Sequence, residues 1–458
     1  MSEYRLSFEN APLIKTPPPG PKSLEMLAKQ DKYETSSRTY TKQFRMAIKR
    51  ASGSTVEDVD GNVYIDWFSG ICVLNLGHAH PIVKKAMLEQ IDKLVHMNEV
   101  PNEARVSFLE TLNSTLPGSM KNNSKIMFTV TGADACEAAM SLARWTTKRR
   151  TIVSFSGAYH GVHGGVIGAT ANYHYREYAG LPAYAIHHLP YPYTYRFPFR
   201  VAEGDEAKVV VEMLEHLLQD EYAGPGPIAG VMVEPIQGEG GYIVPPDDFL
   251  PMLREVTEKH SVPLIVDEIQ TGVGRTGRIW ASEYSGITPD IVCISKSIGG
   301  GVPTSLIAYN KDYDTDLPPG FHLGTYRGNP VALAAGDAIL KYLRSSNLLE
   351  KVVTQGSYIK KRFEEFAKVF QQIGEVRGKG FMIATEMVKD AKTKQPWADL
   401  ATKLKSEMFS RGVLMHTCGH YGNVLRFMAP LTIEDDLVDK GLDIYFESLN
   451  AALRALSS

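Results

Sequence analysis

Between Lys125 and Asn310, six short apolar runs alternate with stretches of helical periodicity: Ile126-Met-Phe-Thr-Val, Thr151-Ile-Val-Ser-Phe, Ile228-Ala-Gly-Val-Met-Val, Pro263-Leu-Ile-Val-Asp, Ile291-Val-Cys-Ile and Leu306-Ile-Ala-Tyr. Strands this apolar bury both faces, as they do when helices cover a parallel sheet on either side. The alternation predicts an α/β chain whose large domain is a mainly parallel sheet. Upstream, Asp60-Gly61 separates Thr55-Val-Glu-Asp-Val from Val63-Tyr-Ile-Asp-Trp as the turn of a hairpin would, and Thr16-Pro-Pro-Pro-Gly-Pro-Lys reads as a stiff extended leader. Downstream, helical patterns from about Asn329 to Phe370 lead into Gly374-Glu-Val-Arg-Gly-Lys-Gly-Phe-Met and a final amphipathic helix from about Ile433, a smaller α+β domain. The expected divisions are 1–70, an N-terminal segment shared between the small domain and an interface, 71–330, the large domain, and 331–458, the small one.

Charge narrows the partners. The net charge of -3 comes from 49 basic and 52 acidic residues scattered along the chain, which points away from nucleic acid and from an anionic membrane surface and toward a small molecule. No stretch approaches the roughly 20 apolar residues of a spanning helix, and Met1-Ser-Glu-Tyr-Arg-Leu-Ser lacks an apolar signal core, so the cytoplasm is the expected location. Cys72, Cys136, Cys293 and Cys418 lie far apart with no Cys-x-x-Cys pair, so neither a zinc site nor a disulfide framework is expected; they read as small buried hydrophobes.

In parallel sheets, ligands gather at the carboxyl ends of the strands, so the residues following each run carry the functional signal. Lys296 follows Ile291-Val-Cys-Ile-Ser and precedes Gly299-Gly-Gly; an amine desolvated at such a strand end is nucleophilic and can form a Schiff base with an aldehyde cofactor. Asp267 ends a wholly apolar run, where a carboxylate is expensive to bury without a cationic partner such as a protonated pyridine nitrogen. Next to it, Ile269 could pack one ring face and Gln270 could bond a phenolic oxygen. Thr131-Gly132-Ala133-Asp134 opens a helix whose free N–H groups form either a phosphate cradle or an ordinary capped start. In Tyr159-His160-Gly161 a ring could stack on a planar cofactor, or Tyr159 could simply pack in the core. Other patterns fail on spacing. Gly272-Val-Gly274-Arg-Thr-Gly277 has no acidic residue about 20 positions beyond it, Gly374 to Gly380 is one residue short of a P-loop, and no Gly-x-Ser-x-Gly occurs. His78-Ala-His80 and His187-His188 lack further spaced ligands and read as structural histidines; no metal is expected.

Taken in order and spacing, Tyr159-His-Gly, Glu234-Pro-Ile-Gln-Gly-Glu-Gly-Gly, Asp267-Glu-Ile-Gln-Thr-Gly, Gly274-Arg-Thr-Gly, Lys296 and Gly324-Thr-Tyr-Arg-Gly-Asn-Pro resemble the class III pyridoxal-phosphate aminotransferases from about Gly61 to the C-terminus. The resemblance implies the fold type I architecture with a mainly parallel seven-stranded sheet, and pyridoxal 5′-phosphate as cofactor. It also implies an obligate homodimer, or a tetramer built from it, with shared active sites. Lys296 would form the internal aldimine, Gly132 and Ala133 would bind the phosphate, and Thr325 would reach it from the neighbouring subunit. Tyr159 would stack on the ring beside His160, Asp267 would hold the pyridine nitrogen and Gln270 the phenolic oxygen.

Gly70-Ile71-Cys-Val-Leu-Asn-Leu-Gly-His and Cys418-Gly-His-Tyr-Gly-Asn-Val-Leu-Arg426 are similar to the 4-aminobutyrate aminotransferases. The likeness makes Ile71 a substrate-side residue and Arg426 the partner of an α-carboxylate, for which a planar guanidinium is suited. Glu234 would pair with that arginine when an ω-amino substrate is bound. Those enzymes carry a second arginine for the distal carboxylate where this chain has Val162, which disfavours 4-aminobutyrate and favours an amine with an apolar or otherwise bound distal end. The stretch from Ala158 to Tyr191-Pro-Tyr-Thr-Tyr-Arg also resembles the amino-acid racemases and epimerases of the same family. The expected reaction is therefore transfer of an amino group from a small-molecule donor to a 2-oxo acid such as 2-oxoglutarate, with Lys296 as the one base required. The rival is racemisation, with a second acid–base group in the Glu239 loop.

Overall fold

The computed structural model describes residues 5–177, 185–220 and 222–457. Residues 1–4 of the opening segment, and 178–184 within the stretch likened to racemases, lie outside the described residues. The chain forms two compact units, Ile82–Val353 and a second made of Met1–Pro81 with Thr354–Ser458.

The larger unit is built on a seven-stranded sheet in the order Ser124–Thr129, Ser305–Asn310, Ile291–Ile294, Leu264–Asp267, Ile228–Val233, Thr151–Phe155, Ile186–Leu189. Ser305–Asn310 runs antiparallel to both its neighbours, and the pairings from Ile291–Ile294 to Ile186–Leu189 are parallel, so all strands but one point the same way. The alternation of side chains along each strand divides the core in two. Ile152, Met232, Ile265, Cys293 and Ile307 face the helix Gly132–Thr147, and the alanines of that helix let it lie close on the sheet. Val153, Phe155, Val231, Val233 and Val266 face the helices Glu206–Gln219 and Phe249–Lys259 on the other side. Six of the seven strands coincide with the apolar runs. The seventh, Ile186–Leu189, places two histidines in mid-strand and so carries no apolar signal; burial pushes the His188 imidazole down to about 4, which keeps it neutral at the sheet edge.

In the smaller unit Thr55–Asp58 and Val63–Asp66 pair antiparallel across the Asp60-Gly61 turn, and Ile48–Ser52 and Val413–Leu414 complete a four-stranded sheet. The turn also organises the leader. The Asp60 carboxylate accepts hydrogen bonds from Lys22 N at 2.8 Å and Ser23 N at 2.9 Å, capping the helix Pro21–Tyr33 from outside. A Cβ on Gly20 would stand 2.3 Å from Asp60 Cγ, so only glycine admits this approach. The Pro-rich leader thus ends with Pro21 as the first helical residue, where a missing N–H costs nothing. A second sheet joins Ile373–Lys379, Met382–Met387, Val424–Phe427 and His416–Cys418, and the helices Ala398–Ser410 and Asp435–Ser457 pack on each other.

Candidate active site

A parallel sheet brings the carboxyl ends of its strands to one edge, and in the larger unit a cavity of about 250 Å³ opens there. Its lining includes Gly132, Ala133, Tyr159, His160, Asp267, Ile269, Gln270 and Lys296, residues that follow four different strands. Asp267 and Lys296 come from adjacent strands, Leu264–Asp267 and Ile291–Ile294. Lys296 is half-buried and holds a left-handed backbone at φ 49°, a conformation costing a residue with a Cβ about 1 kcal/mol or more and typical of positions constrained by their surroundings.

The helix Gly132–Thr147 starts at the cavity wall with Thr131 as its N-cap, whose side chain accepts from Asp134 N at 3.3 Å. With Asp134 N taken by Thr131, the N–H groups of Gly132 and Ala133, which have no intrahelical acceptor, stand at the cavity wall. Two glycines make the approach possible. A Cβ on Gly161, at φ 130°, would lie 2.3 Å from Ala133 Cβ, and one on Gly132 would press on Ile269 Cδ1 at 3.1 Å.

Asp267 is buried and well supplied with donors. Its Oδ1 accepts from Ile269 N at 3.0 Å and its Oδ2 from His160 Nδ1 at 2.7 Å, with Cys136 Sγ 3.5 Å from the same oxygen. Burial is the largest single influence on the His160 pKa and pulls it down, but the hydrogen bond and charge of Asp267, with the neighbouring Cys136, together outweigh it and raise His160 to about 10, so the imidazole is a lasting cation behind the carboxylate. His160 therefore serves Asp267. Gln270, also buried, leaves its Oε1 without a hydrogen-bond partner among the described residues, and Gly238 lies so close that a Cβ there would meet Gln270 Cδ at 2.8 Å.

Glu234 contributes a second buried carboxyl. Its Oε1 accepts from Tyr159 N at 3.0 Å and its Oε2 from Gly238 N at 2.8 Å, while burial pushes its pKa up to about 7. Glu239 and Val162 also line the cavity, Val162 at its exposed rim. Tyr159 meets Tyr175 edge to face, ring centroids 5.0 Å apart. His163 and Ser295 line the cavity without having been singled out in the sequence; their places next to Val162 and Lys296 were the available signal. Thr325 is exposed and is not part of this lining.

Arg426 and Ile71 belong to the smaller unit. Arg426 is fully buried on the strand Val424–Phe427, its Nη2 3.3 Å from Nδ1 of His416 on the facing strand. Ile71 sits in a left-handed turn, Ser69–Cys72, with φ values of 45°, 62°, 59° and 60°. The turn is held at its start: Asp66 Oδ1 accepts from Phe68 N and Ser69 N at 2.8 Å, and Ser69 Oγ donates to the Met428 carbonyl at 2.6 Å. The four cysteines are buried, but Cys136 is more than a filler, since its sulfur reaches Asp267.

Residues 35–449 match the family model described as aminotransferase class-III. Diaminobutyrate–2-oxoglutarate aminotransferase of Rhizobium meliloti (strain 1021) is 38% identical over 423 residues, 90% of this chain and 90% of that protein. Leucine/methionine racemase of Thermococcus litoralis is 35% identical over 425 residues, 91% of this chain and 94% of that one. Among solved structures, an amine transaminase from an uncultivated Pseudomonas species, in a form bound to pyridoxal phosphate, aligns with a TM-score of 0.82 at 30% identity, covering 92% of this chain and 97% of that chain.

Proposed function

Since the chain belongs to the class-III aminotransferase family, we propose that it moves an amino group between an amino acid or ω-amine and a 2-oxo acid such as 2-oxoglutarate, with pyridoxal 5′-phosphate as its cofactor. The observation that carries this reading is the convergence of Lys296, Asp267 and Gln270 on one cavity at the strand ends. The donor set fits the cofactor group by group. Gly132 and Ala133 N–H groups would hold its phosphate, Asp267 its pyridine N–H and Gln270 its phenolic oxygen, with Ile269 and Tyr159 at the ring faces. When bound, the cofactor supplies an electron sink for negative charge developing at the substrate carbon. Lys296 Nζ would accept the proton from that carbon and pass it on from the same side of the cavity rather than give it back to the carbon it left. His160 keeps the Asp267 carboxylate oriented from behind. Arg426 is the candidate partner of a substrate α-carboxylate, with Ile71 and Glu234 as further substrate-side residues. Val162 at the cavity rim offers no charge to a distal carboxylate, which favours a donor whose distal end is apolar or otherwise bound. The same reading makes the molecule a cytoplasmic homodimer in which the exposed Thr325 serves the neighbouring subunit's phosphate. Among the described residues no helix is long and apolar enough to cross a membrane.

One observation favours a second reading. Glu239 lines the same cavity as Lys296, so a second acid–base group is at hand for two-base racemisation, which needs it on the face opposite Lys296. The test is a panel of L-amino acids and ω-amines given to the cofactor-loaded protein with and without 2-oxoglutarate, scoring 2-oxo acid turnover and optical rotation together. Glutamate formed from 2-oxoglutarate identifies the aminotransferase and its donor. A D-enantiomer appearing with no 2-oxo acid consumed identifies the racemase. Lys296→Ala should lower either rate by roughly 10³-fold or more, and turnover retained in that variant would remove Lys296 from the chemistry.

A further inference from the structure

Asp267 has more donors than its neighbours in the strand would require. A carboxylate offers about four lone-pair sites. Ile269 N takes one on Oδ1, and His160 Nδ1 takes one on Oδ2. Cys136 Sγ, 3.5 Å from the same Oδ2, is within reach of a thiol hydrogen bond, and it arrives from the second turn of the helix whose N-terminus lines the cavity. We propose that Cys136 is a positioning residue for the cofactor: its thiol donates to Asp267 Oδ2, and together with His160 and Ile269 N it leaves the carboxylate one site, for a donor entering from the cavity.

Three features support the thiol as donor. The Cys136 side chain is fully buried, and burial pushes its pKa well above the ordinary thiol value, so it keeps the proton it would donate. The second thiol nearby, Cys293, has an acceptor of its own, the Ala135 carbonyl at 3.9 Å. A carboxylate oxygen can only accept, so in a hydrogen bond between the two the thiol is the donor. The Cys136, His160 and Asp267 ligand atoms all lie within 4.8 Å of one another, close enough for a metal ion to be considered. Binding one would require imidazole and thiol both to lose their protons, against the direction in which burial and Asp267 hold them. A thiol is also suited to its place. It packs like a small hydrophobe against the sheet while offering a weak S–H donor, where a hydroxyl would cost more to desolvate.

The proposal rests on the reading of Asp267 as the ring-nitrogen partner, so the experiment separates the two. In the cofactor-free full-length protein, the infrared S–H stretch assigned by difference against Cys136→Ala is expected at the lowered frequency of a hydrogen-bonded thiol, and to move toward the unbonded value in Asp267→Asn. A Cys136 band at the unbonded frequency overturns the hydrogen bond whatever the cofactor does. Pyridoxal phosphate affinity and the pH midpoint of its visible band are then measured in Cys136→Ala, Cys136→Val and Cys136→Ser. Ala and Val should weaken cofactor binding roughly 3- to 10-fold and shift the midpoint, with Ser restoring both. A fall in Tm alone, with affinity and midpoint intact, would mean that Cys136 only packs, and overturns the proposal. If Asp267→Asn changes affinity and midpoint while the Cys136 variants do not, only the thiol proposal fails. If Asp267→Asn changes neither, the reading of Asp267 fails and the positioning role with it.

Discussion

At Glu234, burial and two backbone N–H groups pull in opposite directions. Burial opposes the charged carboxylate, Tyr159 N and Gly238 N support it, and the net effect raises the pKa to about 7. The folded chain therefore holds a proton at this site that the unfolded chain has already lost between its ordinary carboxyl range and pH 7, so stability falls as pH rises through that window. Glu234→Gln should lack this slope. The Tm difference, variant minus parent, should grow in the variant's favour from pH 5 to pH 8 by scanning calorimetry, and a constant difference would show that the carboxyl does not titrate there. With His160, Ile269 N and Cys136 around Asp267, its charge is compensated inside the protein, which is why a strand-end aspartate after four apolar residues can be read from sequence as a partner for a cation. What could not be read was which side chains compensate it. His160 is 107 positions away and Cys136 131, and no local pattern links them.

The elements that shape the cavity depend on close backbone approach. The loop after Thr151–Phe155 lies on the first turn of Gly132–Thr147 because Gly161 has no side chain, at a φ of 130° that residues with a Cβ rarely adopt. Gly161→Ala combines that backbone strain with a contact 2.3 Å from Ala133 Cβ, and should cost about 1–3 kcal/mol in stability and weaken cofactor binding more than ten-fold. Tm and pyridoxal phosphate affinity are the measurements. A variant binding the cofactor normally would show that the loop and helix start can separate without disturbing the site. The hairpin turn was legible in sequence as a turn, because Asp-Gly adopts the required backbone locally. Its second role, with Asp60 capping Pro21–Tyr33, was not, because the cap bridges segments 37 and 38 residues apart.

For the whole molecule, the exposed Thr325 in the segment leading to the helix Pro330–Ser345 is the residue to test for a shared site. If the protein is a homodimer with Thr325 serving the neighbouring phosphate, Thr325→Ala should lower pyridoxal phosphate affinity several-fold while light scattering still reports a dimer. Unchanged affinity would confine the phosphate to its home subunit. The sequence by itself determined the α/β class, six of the seven strands of the large sheet, and the strand-end residues that line its cavity. It could do so because a buried parallel strand is a continuous apolar run, and because parallel strands deliver the residues that follow them to one edge whatever their order in the sheet. Only the tertiary structure revealed the histidine-bearing seventh strand, the left-handed turn around Ile71, and the imidazole and thiol gathered on Asp267. Those depend on sheet register and helix packing, which join residues distant in sequence and leave no mark in the pattern of any one segment.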